Sequence, residues 1–410
     1  MEVYSIDSSM GIERIIAILE EKRVKLEDYI ARVEPIVRDV SRRCYDAVRE
    51  YSEKLDGISF DDPRIGRESL ASVMEDLDGG FVEAVERIAK AVKEYSRALI
   101  PPPLKLEKVV VEWKPLERVA VYVPGGRSPY PSTAIMGVAL ASAAGVRDIV
   151  VITPPCRGCK HKTDAGVIAA SFIAGASSVY AVGGPHGIAG VAYGCKPLPR
   201  VQKIVGPGGP YVQAAKILVS HLVGIDMVAG PTELFIIVDS SADPKIIALE
   251  ALAQAEHGAN SIVVIASPDK SLLHAVRGLL ERLGSSGMAP VFLVATGSLE
   301  EALAIAEAFA PEHLLIEARD PEKLAESVTN AGIVSLAIPT AYIDYAAGPS
   351  HILPTGGAAS WRGGLTVLDF MKPVQLVRGV VPHYLELAKL MAIYEGFAYH
   401  LKSLEVRRPG

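Results

Sequence analysis

Apolar residues recur at helical spacing in Ile12-Ile15-Ile16-Leu19 and again in Phe81-Val85-Ile88-Val92, so the first hundred residues are predicted to be helical. Pro101-Pro102-Pro103 ends any helix there. The pattern then changes: Val109-Val110-Val111 and Val119 to Val123 are short β-branched runs that read as strands. Strands and helices now alternate. A glycine turn and a small-residue helix from Ser132 to Ala144 follow the second run. Next come a strand Asp148 to Thr153, a helix Thr163 to Ala174, a strand Ser178 to Val182 and a helix Pro185 to Ala192. Gly206-Pro207-Gly208-Gly209 opens another helix through Tyr211 to Leu218. The pattern restarts with strand Leu234 to Asp239, helix Pro244 to His257, strand Ser261 to Ala266, helix Lys270 to Leu283 and strand Pro290 to Ala295. Strands that are apolar on both faces and separated by helices imply parallel sheets covered on two sides. Two such sheets are expected, breaking near Gly230-Pro231, with a helical tail from Val374 to Leu404.

Composition narrows the function classes. The chain has 410 residues, enough for at least two cores, with half its residues apolar, 22% charged and a net charge of −6. No basic face of the kind that binds nucleic acid is clustered in the sequence, and Arg407-Arg408 reads as a solvated end. No secretory signal or membrane-length apolar run is found, the best stretch being Ala134 to Val146 with Gly137 and Gly145 inside it. A cytoplasmic enzyme is expected. The four cysteines are too few for a secreted scaffold. Cys156 and Cys159 have metal or redox spacing but no second pair; they read as an incidental loop pair, with a local disulfide as the alternative.

Four segments could carry chemistry. Gln254 and His257 share one face near a helix end stopped by Gly258, where an amide oxygen and an imidazole could ligate a metal. Taken alone, a polar helix end is the commoner meaning of such a pair. Glu312-His313 joins two proton-transfer groups of different basicity, which reach one site only if the backbone turns at Pro311. The loop from Asp344 to Gly357 holds a carboxylate and His351, and its Ile352-Leu353 suggests that it is packed rather than solvated. The tail offers Glu395 and His400, which alone would read as an exposed amphipathic helix. The turns Tyr122 to Gly126 and Gly206 to Gly209 precede helix starts that can cradle phosphates, though neither is a G-x-G-x-x-G.

In this order, the segments Tyr122 to Gly126, Gly206 to Gly208, Gly224 to Glu233, Leu252 to His257, Ala310 to His313, His351 to Thr355 and Glu395 to His400 resemble histidinol dehydrogenase from about Glu112 to His400. The resemblance implies an α/β fold: two incomplete Rossmann-like domains with parallel sheets, an N-terminal helical segment and a helical C-terminal tail, in a domain-swapped homodimer. The expected division is residues 1–20 as the helical segment and 21–121 with 234–370 as the first domain, bearing the zinc and catalytic residues. Residues 122–233 then form the second, cofactor-side domain, and 371–410 a tail docking on the partner. The resemblance further implies one Zn²⁺ on Gln254, His257, Asp344 and His400, and a catalytic pair Glu312 and His313. It places substrate contacts on Thr232, His351, Glu395, His313 and the zinc ligands, and cofactor contacts at Tyr122, His186 and Gly209. The implied reaction is a two-step NAD-dependent oxidation of L-histidinol to L-histidine.

Three positions depart from the family pattern. Thr232 stands where serine is usual, keeping the hydroxyl, while His186 and Gly209 replace the usual glutamine and asparagine at two cofactor contacts. The choice between NAD and NADP is therefore open. Backbone N–H groups of Gly208 and Gly209 could replace the lost bonds, and Arg127 reads as a surface residue with a phosphate contact as its alternative. Competing readings are a related zinc dehydrogenase for another amino or sulfonated alcohol, a zinc hydrolase with Glu312 as base, and a binding or regulatory protein that kept the fold.

Overall fold

The computed structural model describes residues 1–125 and 128–406; Arg127 and the Arg407-Arg408 end lie outside these. The chain divides into a larger unit, Met1–Leu99 with Leu116–Phe370, and a smaller one, Ile100–Pro115 with Met371–Gly410.

The larger unit holds two six-stranded sheets. The first contains β1 (Val3–Asp7), β10 (Glu233–Val238), β11 (Ile262–Ser267), β12 (Val291–Ala295), β13 (His313–Glu317) and β14 (Ile333–Leu336), all parallel, in the order β1-β12-β11-β10-β13-β14. Along β10 the side chains alternate between two cores. Leu234, Ile236 and Val238 pack with Ile247 and Ala251 of helix Pro244–Ala255 and with Val276 of helix Lys270–Leu283. Phe235 and Ile237 pack with Ile15 and Leu19 of helix Ile12–Glu20 and with Ile305 of helix Leu299–Phe309.

The second sheet contains β2 (Arg64–Gly66), β5 (Arg118–Tyr122), β6 (Asp148–Thr153), β7 (Ser178–Ala181), β8 (Lys203–Val205) and β9 (Gly224–Ile225), in the order β2-β7-β6-β5-β8-β9. Only β2 runs antiparallel to its neighbour. Helix Pro131–Ala144 lies close on one face, where any side chain at Gly137 would collide with Val121 of β5. The chain passes from the second sheet to the first between β9 and β10, at the expected Gly230-Pro231.

Three expectations need correction. Residues 1–20 are not only helical, because Val3–Asp7 is an edge strand against β12. Its short run of mixed apolar and polar side chains hides it from periodicity. Nor do residues 21–121 all group with 234–370: Val33, Val37 and Val40 of helix Glu27–Arg43 belong to the core of the second sheet, with Ala120, Val150 and Ile188. The tail is not helical throughout either. In the smaller unit, β15 (Met371–Val377) pairs antiparallel with β4 (Val109–Pro115), which also pairs with the short β3 (Leu104–Lys105). Helices Pro382–Tyr394 and Ala398–Glu405 follow.

The cysteines are paired, Cys44 with Cys195 and Cys156 with Cys159. The second pair is thus bonded rather than incidental. It closes a tight loop whose Arg157 guanidinium donates to the Gly57 carbonyl at 2.7 and 3.0 Å.

Candidate active site

A cavity of about 380 Å³ lies in the larger unit. The first sheet presents the amino ends of its strands to it, through Thr232 before β10, Ser261 before β11, and Glu312 and His313 at the start of β13. The second sheet presents carboxyl ends, through Pro124 beyond β5 and Pro207, Gly208 and Gly209 beyond β8. Strand order reverses between β5 and β8, which is where an α/β sheet opens a binding crevice. Here helices Pro131–Ala144 and Pro210–Val219 point their N-termini toward the cavity, an arrangement that favours anions. The lining also includes the C-terminal end of helix Pro244–Ala255, which favours cations.

Gln254 is in the last turn of that helix and 2% exposed; its amide nitrogen donates to Thr232 Oγ1, which leaves the amide oxygen for another partner. His257 lies just past the helix end. Its Nδ1 faces the Ala253 carbonyl at 3.2 Å, which fixes Nε2 as the free, lone-pair nitrogen. Glu250, on the same helix, accepts from the Thr340 N–H and hydroxyl at 3.0 and 2.6 Å. This anchors the short helix Thr340–Tyr345 and thereby places Asp344 in the cavity wall. Asp344 Oδ1 is 3.6 Å from His313 Nε2. The following loop is packed, as its sequence suggests: Ile352 and Leu353 are buried, while His351 Nδ1 meets the Asp344 carbonyl at 2.5 Å and Nε2 meets Thr133 Oγ1 at 3.2 Å.

Glu312 and His313 both reach the cavity because the chain turns immediately before them, with Ala310 in a left-handed conformation at φ 50°. Glu312 Oε2 accepts from Thr232 Oγ1 at 2.5 Å and from the Glu233 N–H at 2.9 Å. Burial nevertheless dominates and pushes its carboxyl up to about 8, with Glu233 and Asp344 adding repulsion. Burial also pulls the His313 imidazole down to about 4, against the pull of Asp344 in the other direction. His313 is therefore neutral near pH 7, and its Nδ1 is buried without a hydrogen-bond partner among the described residues.

The cofactor-side expectations fare unevenly. Of the three residues expected to meet the cofactor, Gly209 lines the cavity, whereas Tyr122 (4% exposed) and His186 (0%) are buried and do not. His186 faces Asp56 at 3.3 Å and stacks near Tyr51. Sequence reasoning missed what braces the glycine turn. Asp226 Oδ2 takes the Gly206 N–H at 2.7 Å, Lys216 Nζ donates to the Gly206 carbonyl at 2.9 Å, and the two ions meet at 2.5 Å with both side chains fully buried.

Glu395 and His400 belong to the smaller unit, where both are exposed. Among the described residues, no three His, Cys, Asp or Glu of this one chain gather as a metal-holding group. The larger unit supplies Gln254, His257 and Asp344 to one cavity.

The family model described as histidinol dehydrogenase matches residues 19–408. The chain belongs to the histidinol dehydrogenase family. It is 42% identical to the histidinol dehydrogenase of Thermus thermophilus over 95% of its own length and 99% of that protein's. Against the Saccharolobus solfataricus histidinol dehydrogenase it is 38% identical, over 92% and 96% of the two chains. A crystal structure of histidinol dehydrogenase from Elizabethkingia anophelis superposes with a TM-score of 0.86 and 26% identity, covering 99% of this chain and 97% of that one. Membership makes this chain an oxidoreductase, and the hydrolase and binding-protein readings give way. Among the described residues no helix is long and apolar enough to cross a membrane.

Proposed function

We propose that this chain oxidises L-histidinol to L-histidine through histidinal, the closing steps of histidine biosynthesis, with one zinc ion per subunit and NAD as the electron acceptor. The observation that carries this reading is that proton-transfer groups, metal-type donors and helix N-termini all line one cavity.

Zinc suits the donors present. Gln254 keeps an amide oxygen free, His257 keeps Nε2 free because its Nδ1 is engaged, and Asp344 adds a carboxylate on the same wall. The fourth donor is His400, supplied by the smaller unit of a partner subunit in a domain-swapped dimer. Helices Pro382–Tyr394 and Ala398–Glu405 support that arrangement. Their Leu390, Met391, Ile393, Tyr394 and Tyr399 are exposed, a row of apolar side chains suited to a second copy of the chain. Bound zinc would supply a positive centre for the amine and imidazole nitrogens of the substrate, and nicotinamide dinucleotide an acceptor for one hydride per molecule, two molecules being used in turn.

The chain's own residues do the rest. Neutral His313 takes the proton of the carbinol hydroxyl and, after hydration, that of the aldehyde hydrate. Glu312, once ionised, takes a proton from the water that adds to the aldehyde; Thr232 Oγ1 and the Glu233 N–H fix its Oε2 for this. His351 is held at both nitrogens and, with Glu395 of the partner, contacts the polar ends of the substrate. The Gly209 N–H receives the pyrophosphate, whereas that of Gly208, also expected to do so, is held by the Ala229 carbonyl at 3.2 Å. The test is NADH formation from histidinol. Two equivalents per substrate and loss of turnover with a zinc chelator are expected, with NADP in a parallel arm. An active chelated enzyme would remove the metal from the scheme.

A further inference from the structure

Glu312 is held by two groups of the Thr232-Glu233 segment, and what holds that segment is a residue from far earlier in the chain. Arg23 lies just beyond helix Ile12–Glu20. Its Nε donates to Glu233 Oε1 at 2.9 Å and its Nη2 to Glu233 Oε2 at 3.3 Å. The same Nη2 donates to the Phe309 carbonyl at 2.7 Å, and the guanidinium sits 4.2 Å from the centre of the Phe309 ring. Phe309 ends the helix that leads into Ala310-Pro311-Glu312. One guanidinium thus grips both backbone segments that fix Glu312: the strand start whose N–H binds its carboxylate, and the turn from which it hangs. The Glu233 carboxylate also takes the Gly356 N–H at 3.0 Å, so the end of the loop bearing His351 is tied to the same point.

We infer that Arg23 is a positioning residue for Glu312, acting through Glu233 and the Phe309 carbonyl. This rests on the proposed reaction, in which Glu312 serves the aldehyde step. The planar fork takes the Glu233 carboxylate through two nitrogens at once while Nη2 also holds the Phe309 carbonyl, an orientation that the single ammonium of a lysine does not fix. The arrangement is also poor value as stability alone, since a buried ion pair is often no better than apolar residues of the same volume. Arg23 does not line the cavity, and its effect is on where the Glu312 oxygens point.

The test uses Arg23→Lys in the full-length protein, with zinc and NAD present. Histidinal oxidation should fall by about ten- to a hundredfold, the usual loss when a supporting partner is removed. Histidinol oxidation should stay within a few-fold, so that histidinal appears in solution. A second readout needs no substrate. In thermal unfolding of Arg23→Lys, Glu312→Gln and the double variant, the two effects should be non-additive although the residues do not touch. If Arg23→Lys does not fold, Glu233→Gln carries the same expectations. Equal loss of both half-reactions, no loss in either, or an additive cycle would overturn the positioning role. A wild-type enzyme that fails to turn over histidinol would instead overturn the proposed function, leaving the unfolding cycle to decide about Arg23.

Discussion

Glu312 and His313 are neighbours in the chain, yet burial drives them in opposite directions, the acid toward its protonated form and the imidazole toward its neutral one. Near pH 7 the ligand-free site therefore holds two uncharged groups, each able to change partners without carrying a bare charge. His313→Ala should abolish the first oxidation, while Glu312→Ala should chiefly slow the second; normal histidine output from the latter would contradict its role. A stability consequence follows for Glu312. Its folded value of about 8 lies above the 4.5 of the free group. Below 4.5 both folded and unfolded states are protonated, and nothing is lost. Between 4.5 and 8 the unfolded chain ionises first, so stability declines as pH rises and the penalty is complete above 8. Glu312→Gln in the zinc-free protein should therefore melt with wild type at pH 4 and several degrees above it at pH 8. Coincident melting curves across that range would show the carboxyl to be unperturbed.

At the scale of elements, most of the strand and helix order is legible because parallel strands buried on two faces read as near-continuous apolar runs, as in Leu234 to Val238 and Ile262 to Ala266. Edge strands lack that signature: β1 and β15 alternate or are exposed, and β15 even contains Pro373. The same limit hides long-range partners. Nothing local in the sequence joins Arg23 to Glu233, Lys216 to Asp226, or Cys44 to Cys195. The motifs reveal which residues meet at the cavity, but not what holds them there. Cys44–Cys195 ties helix Glu27–Arg43 to the end of helix Gly184–Tyr193 across 151 residues of chain. Loop-closure entropy for such a span corresponds to about 5 kcal/mol on the chain-entropy model. Cys44→Ser with Cys195→Ser should therefore lower the unfolding midpoint far more than Cys156→Ser with Cys159→Ser, whose closed loop is only a few residues long. Equal effects would mean that the long bridge contributes no such constraint.

For the molecule as a whole, the proposed site needs two chains, with Glu395 and His400 from one and Glu312 and His313 from the other. His400→Ala and His313→Ala should each be inactive alone. When unfolded together and refolded, mixed dimers should carry one intact site each and restore about a quarter of the wild-type activity. A mixture as inactive as its parents would place the whole site within one chain. The fold class was legible from the alternation of elements, whereas the assignment of residues 21–121 was not. Helix Glu27–Arg43 is amphipathic and would suit either sheet, so only tertiary packing decides which one it covers.

The pairing of β1 with β12 sets an order of events during synthesis. Val3–Asp7 leaves the ribosome long before its hydrogen-bonding neighbour, Val291–Ala295, which is made only after the entire second sheet. Until then Val3–Asp7 is a loose edge with nothing to zip onto, the kind of segment that can recruit a foreign strand. Its Asp7 and the nearby Glu2 put charge at both ends of that waiting ribbon, which discourages such premature partners.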